Sequence, residues 1–371
     1  MKKRVIALAV ASLVSGTAFA QSAPTNVTVY GIVDMGYHYY SDPIVKGTKS
    51  MSAIDSGDQS PSRFGFKGTE DLGDGLSANF DAVFTFSGDV NSAITPYRKT
   101  FVGLTSTTFG QIKAGQFATF EDDLVGATNV MAGNTTVGQP SKVYLAGSSY
   151  YNAVGYFSPV WNGLQLRAAF SSADKTGDVE PLPLVPTDLG QQKTAKTNQR
   201  HYAIAAHYNN GPLIGGATYE INKYQDVSGQ TNGYDSGNVW HLFGAYDFKV
   251  VRVNAAYGTY NYAANDVAIE KKDTRKQWQL GVSTPVGEKG LLALNYAHAN
   301  IKYRSDATPD DKQGFWGVGF FYNLSKRTNF YTAYGKINQD DSNQTANKAG
   351  WGVGSTASYN QAFSAGLRHQ F

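Results

Sequence analysis

Along most of the chain, apolar and polar residues alternate one by one. Over 76–88, Leu76, Ala78, Phe80, Ala82, Phe84 and Phe86 fall on one set of positions, and Ser77, Asn79, Asp81 and Thr85 on the other. A repeat of two places such sets on opposite faces of a β-strand. The pattern recurs at 62–72, where Phe64, Phe66 and Leu72 oppose Arg63, Lys67, Thr69 and Asp71, and again at 238–248 and 314–324. It also closes the chain, where Phe371, His369, Leu367, Ala365, Phe363 and Tyr359 oppose Gln370, Arg368, Gly366, Ser364 and Asn360. Such segments predict sixteen strands, near 27–40, 62–72, 76–88, 97–107, 111–120, 148–158, 164–172, 199–209, 213–224, 238–248, 251–263, 275–285, 290–303, 314–324, 328–338 and 359–371. Most are about ten residues long, enough for a tilted strand to cross a bilayer.

The connections alternate too. Tight ones at 73–75, 107–110, 159–163, 209–212, 249–250, 287–290 and 325–328 are interleaved with long polar ones at 41–61, 89–96, 121–147, 173–198, 225–237, 264–274, 304–313 and 339–358. That is an up-and-down meander. A soluble sandwich or propeller would pack its apolar faces on each other and leave polar faces to the solvent. A closed barrel in lipid puts the apolar face outside and the polar face around a wet lumen. The expected fold class is therefore all-β, a transmembrane antiparallel β-barrel of sixteen strands.

The ends and the composition sharpen this. Residues 1–20, "MKKRVIALAVASLVSGTAFA", have a basic start, a short apolar run and a small-x-small ending, the form of a cleaved secretory signal. The remainder, 21–371, reads as a single barrel domain. The whole chain has 32 Lys+Arg against 29 Asp+Glu. Three of those bases lie in the leader, so the rest is formally neutral, and no basic run points to nucleic acid. With no cysteine, disulfides and thiolate chemistry are excluded. No apolar stretch beyond the leader approaches the length of a membrane helix, whereas 24 Tyr, 20 Phe and 40 Gly suit strands and turns.

The polar faces predict a lining. Arg63, Lys67, Lys99, Lys113, Arg167, Arg252, Arg275 and Arg368 fall on inward positions, with Asp34, Asp71, Asp81 and Asp247 among them. Cations in a narrow wet channel with low-dielectric walls attract anions.

Several stretches resemble the Gram-negative trimeric porins, particularly the β-proteobacterial branch that includes anion-selective porins: "VTVYGIVDMGY", "SRFGFKGTEDLGDGLSANF", "FVGLTSTTFGQIKAGQ", "NGPL", "YNLSKRT" and "GLRHQF". The resemblance covers the whole chain. It implies short periplasmic turns, long extracellular loops and a third long loop, 121–147, folded into the lumen to narrow it. Its acidic start, Glu121, Asp122 and Asp123, would face Arg63, Arg98 and Lys99 on the opposite wall, with Lys142 a further cation. Relatives often carry Arg-Arg where this chain has Arg98-Lys99, and lysine lacks the planar fork for bidentate anion binding. Period-two parity alone puts Arg98 on the face opposite Lys99. The resemblance also implies a homotrimer built on the first and last strands and the loop 89–96, and surroundings of outer-membrane lipid and lipopolysaccharide. Phe371 would be the signal read by the barrel assembly machinery.

The function so implied is passive diffusion of small anionic or neutral hydrophilic solutes, with anions preferred. The alternative is a substrate-specific channel for small dicarboxylates or phosphate. The inward aromatics Tyr30, Phe101, Phe117 and Phe243 are too scattered for a sugar lane. An enzyme is not expected. The histidines His38, His201, His207, His241, His298 and His369 accompany no G-x-S-x-G elbow, HExxH or phosphate loop. No cofactor or metal is expected.

Overall fold

The computed structural model describes residues 27–44, 47–131, 137–147, 149–173, 197–226, 236–263, 273–303, 310–339, 351–353 and 357–371. The expected leader lies outside the described residues, as do most of the long loops from 173–198 onward. The chain begins with β1 (Thr28–Pro43), β2 (Met51–Ser56), β3 (Arg63–Gly73), β4 (Leu76–Thr85), β5 (Thr95–Ser106) and β6 (Gly110–Ala118). The helix α1 (Phe120–Thr128) and a 3-10 turn (Pro140–Lys142) precede β7 (Ser149–Phe157). Next come β8 (Leu164–Ala173), β9 (Thr197–Asn210), β10 (Leu213–Asp226), β11 (Ser236–Asp247), β12 (Arg252–Ala263) and β13 (Asp273–Val286). The last are β14 (Gly290–Lys302), β15 (Asp311–Asn323), β16 (Thr328–Gln339), β17 (Trp351–Val353) and β18 (Ala357–Gln370).

Successive wall strands pair antiparallel, and β18 pairs with β1 from Ile32↔Gln370 to Pro43↔Tyr359, which closes the cylinder. Two short strands do not add places to the wall. β3 pairs with the first part of β1 and β2 with the second, so together they fill one place, and β17 pairs with the loop-side tip of β18. Sixteen wall places remain among the described residues, the number the alternation predicts.

Large apolar side chains point outward. Val102 and Ile204 expose 63% and 59% of their surface, and Leu104, Ile112, Leu242, Leu280 and Leu367 are also exposed. A band of this kind round the molecule is suited to lipid, not water. The inward positions carry buried polar groups such as Asp34, Asn222, Gln277, Asn295 and Ser364.

The structure departs from strict alternation in places. Tyr359, placed on the lipid face by its parity, turns inward. Its ring stacks on Tyr40 at 5.7 Å and its hydroxyl donates to the Lys49 carbonyl at 2.9 Å. Its register partner Pro43 follows Asp42, whose φ of 58° breaks the local extended geometry. Asp71 and Asp247 brace the tight turns, accepting from the amides of Gly73 (2.9 Å) and Lys249 (2.7 Å).

Candidate functional site: the pore constriction

The segment after β6 enters the barrel. Thr119 caps α1 by accepting from the Asp122 amide at 3.0 Å, and three acids fill the first turn, where the positive end of the helix dipole favours them. Their three carboxylates then diverge. Asp122 lies 2.6 Å through both oxygens from Arg98 Nη1 on β5. Asp123 accepts from Arg167 Nη1 on β8 at 2.8 Å. Glu121 has no exposed surface. It sits 2.7 Å from His241 Nδ1, accepts from Tyr260 OH at 3.0 Å and from the Gly147 amide at 2.9 Å. The acidic trio is thus not one pore-facing patch, because Glu121 fastens the helix to β11 and β12.

The returning limb is fastened in the same way. Gln277 accepts from the Leu145 amide at 3.0 Å and donates to the Leu145 carbonyl at 2.6 Å, and Arg275 donates to the Val143 carbonyl and to Gln313. Arg252 Nη2 donates to the Ala127 carbonyl near the end of α1 at 2.5 Å. Arg275 is buried, so Arg252 and Arg275, expected as lumen charges, act here as ties on the loop. At β15 the loop backbone lies so close that a Cβ on Gly317 would stand 2.3 Å from the Gly138 oxygen. A pocket of about 260 Å³ lies between α1 and the returning limb, its lining including Arg98, Asp122, Asn129 and Tyr144.

The remaining bases lie on the opposite wall, on β18, β3, β5, β6 and β8. Arg98 reaches the lumen through a bulge. Ala82 and Phe84 of β4 pair with Thr100 and Pro96 of β5, so three residues, Tyr97 to Lys99, stand opposite Val83 alone. Arg98 adopts a φ of 53° within that bulge, which overrides its parity. Tyr97 lies between the guanidinium groups of Arg63, 5.8 Å away, and Arg98, 5.1 Å away. Lys99 is 3.8 Å from Asp81, whose other oxygen accepts from Tyr30. Lys113 Nζ stands over the rings of Phe101, Phe117 and Phe157 at 4.8, 4.5 and 4.1 Å. Lys67 lies 5.2 Å from the Tyr30 ring, and Arg368 faces Asp34 across the β1–β18 ladder. Lys142, at the end of the 3-10 turn, is exposed, yet the protein around it lowers its pKa by desolvation. Among the described residues, Arg63, Lys113 and Lys142 have no carboxylate within ion-pair distance. Phe371 exchanges both backbone hydrogen bonds with Gly31 at 3.1 Å, and its ring lies across that glycine.

Sequence reasoning passed over Tyr97, which joins two bases of the wall, and His241 with Tyr260, which hold Glu121. The spacing Thr119-x-x-Asp122 is a legible helix-start signal, but nothing in the sequence points from Glu121 to β11.

A closed barrel with a charged loop across its lumen is the architecture of a channel. The family model for Gram-negative porins matches residues 7–342. An outer membrane porin protein of Bordetella pertussis is 29% identical over 377 residues, covering 90% of this chain and 94% of its own. Outer membrane porin protein 32 of Delftia acidovorans is 29% identical over 343 residues, covering 89% and 88%. Among solved structures, an anion-selective porin from Comamonas acidovorans superposes with a TM-score of 0.74 at 24% identity, covering 94% of this chain and all of that one. The chain belongs to the Gram-negative porin family and is an outer-membrane channel, not an enzyme.

Proposed function

We propose that the protein is a homotrimeric general porin passing small hydrophilic solutes by diffusion, with anions preferred over cations. The observation that carries this is the imbalance at the constriction. Asp122 and Asp123 are each engaged by one arginine, while Arg63, Lys113 and Lys142 lack a carboxylate partner among the described residues. Arg63 and Lys113 face the loop across the pore and, with Lys142 on the loop itself, leave a positive excess in a low-dielectric cylinder. That the Comamonas acidovorans porin bears the description anion-selective adds support. In this reading residues 1–20 direct export and are removed, the long loops face outward among lipopolysaccharide, and Phe371 is read by the assembly machinery.

The test is the zero-current potential of the purified protein in a planar bilayer under a KCl gradient. Its sign should show chloride preferred, in conductance steps grouped in threes. The double variant R63Q/K99Q should lower the chloride-to-potassium permeability ratio by roughly twofold or more. An unchanged ratio would remove both residues from the selectivity mechanism. Millimolar phosphate or a dicarboxylate that blocks the chloride current would favour the substrate-specific alternative.

A pH dependence follows from Asp122. Burial pushes its carboxyl up to about 6 against the pull of Arg98. The carboxylate is charged above that value and neutral below it, so acidification removes one negative charge from beside Arg98. Anion preference should rise as pH falls from about 7.5 to about 5, and D122N should flatten the rise. A wild-type ratio flat across that range would contradict the assignment.

A further inference from the structure

The pocket between α1 and the returning limb differs from the charged wall around it. Its charged members are one matched pair, Arg98 and Asp122, and every other side chain that lines it is neutral. On the wall side stand three carboxamides, Asn254 of β12, Gln279 of β13 and Asn295 of β14. They come together because Asn254 and Asn295 are both register partners of Gly281, and Gln279 lies two residues from that glycine on the same face. With no side chain on Gly281 to part them, the two asparagines lean over it. Their Oδ1 atoms lie 2.2 and 2.4 Å from where its Cβ would stand.

These groups are buried and underused. Asn254 exposes 5% of its surface, Asn295 6% and Tyr144, on the returning limb, 3%. Yet Asn254 Oδ1, Asn295 Nδ2 and the Tyr144 hydroxyl make no hydrogen bond among the described residues. A buried donor or acceptor without a partner is costly. A few convergent polar groups in a cleft with apolar sides are the usual form of a small-molecule site, and Val125, Pro140 and Leu145 supply the apolar sides. The unmet set is an acceptor, a donor and a hydroxyl, with no charge among them. An anion would meet the Asn254 oxygen, and Arg98, the one cation in the lining, is already engaged by Asp122. A cation would find Asp122 engaged in turn. Hydroxyl groups donate and accept at once, so they can serve all three unmet atoms.

We infer that this pocket binds a small uncharged polyol, its hydroxyls shared among Asn254, Asn295 and Tyr144 and its carbon chain lying along Val125 and Pro140. The pocket's 260 Å³ equals about nine water molecules' worth of liquid, room for a short chain such as erythritol or xylitol. Arg98 and Asp122 belong to both the pocket and the constriction, so a solute held here pauses beside the permeation path. The site rests on the fold of the loop against β12–β14, not on the ion preference proposed above.

Saturation-transfer NMR on the detergent-solubilised protein, titrated with xylitol, tests this. The wild-type signal should saturate. N254L/N295L keeps the side-chain volume and removes both carboxamides, and should weaken binding by roughly tenfold or more, the loss of two modest hydrogen bonds. Y144F removes one hydroxyl and no packing, and should weaken it by roughly threefold. The exposed short-turn pair K289Q/K326Q should not change it. Succinate, a dicarboxylate of similar length, should not displace xylitol. A wild-type signal that does not saturate, equal binding by wild type and Y144F, or displacement by succinate would overturn the proposal. Heat-modifiable mobility on a gel confirms the folding of each variant, and Y144F carries the test if the double variant does not fold. A channel that prefers potassium yet binds xylitol with these variant effects would overturn the ion preference and support the pocket.

Discussion

In planar bilayers, Glu121→Ala is expected to give a larger and noisier single-channel current than the natural protein, with the barrel still folded. The wall is held by continuous strand ladders that Glu121 does not touch. The helix α1 is held by groups that it does touch. Removing its carboxylate takes the acceptor from His241 Nδ1 and the Gly147 amide in a site without solvent, while the Tyr260 hydroxyl keeps the Leu145 carbonyl. Breaking a buried pair of this kind costs on the order of 3–5 kcal/mol. The loop retains the ties of Gln277, Arg275 and Arg252, so it should loosen at its start rather than leave the lumen. Tyr260 and the Gly147 amide donate to different oxygens of Glu121, so Glu121→Gln keeps an acceptor for only one of them and loses the charge toward His241, and should fall between the two. If Glu121→Ala conducted with wild-type amplitude and noise, α1 would be positioned by something other than this contact. Retained heat-modifiable mobility on a gel separates a loosened loop from an unfolded barrel.

The second large effect is expected at Arg98. Arg98→Ala removes a cation and uncovers the Asp122 carboxylate 2.6 Å from where the guanidinium stood. Both changes favour cations. The chloride-to-potassium ratio should fall by about tenfold, the factor that 1.4 kcal/mol supplies, more than the R63Q/K99Q pair achieves. The double variant R98A/D122N should recover much of that loss, since the bared acid is gone, and the two substitutions should be clearly non-additive. Additive effects would mean that the contact in the lumen has no bearing on permeation.

These two residues also mark where the sequence was readable and where it was not. The sixteen wall strands follow from alternation because a barrel in lipid has different solvents on its two faces, and each side chain records the one it meets. β2 escapes that rule: Met51–Ser56 mixes Ser, Ala and Asp around Ile54 and shows no consistent face, so it reads as loop. Arg98 escapes it because a bulge alters parity, and the only nearby sign is Pro96. Glu121 reads like its two neighbours, since nothing local separates an acid that faces water from one bound to β11 and β12. The basic wall was legible as a set of inward positions. Which members would be tied up in holding the loop, as Arg252 and Arg275 are, depends on carbonyls that sequence does not display.

The separation between Glu121 and its partners sets an order of events during assembly. Tyr260 lies 139 residues further along the chain, so α1 gains its Glu121 anchor only after β11 and β12 have joined the growing sheet. Contacts of such long range form late. Until then α1 has only its arginine partners on β5 and β8, and Glu121 remains hydrated. The channel therefore acquires the last fixing of its narrow point as the cylinder nears completion, and an incomplete barrel in the membrane would be a looser passage than the finished one.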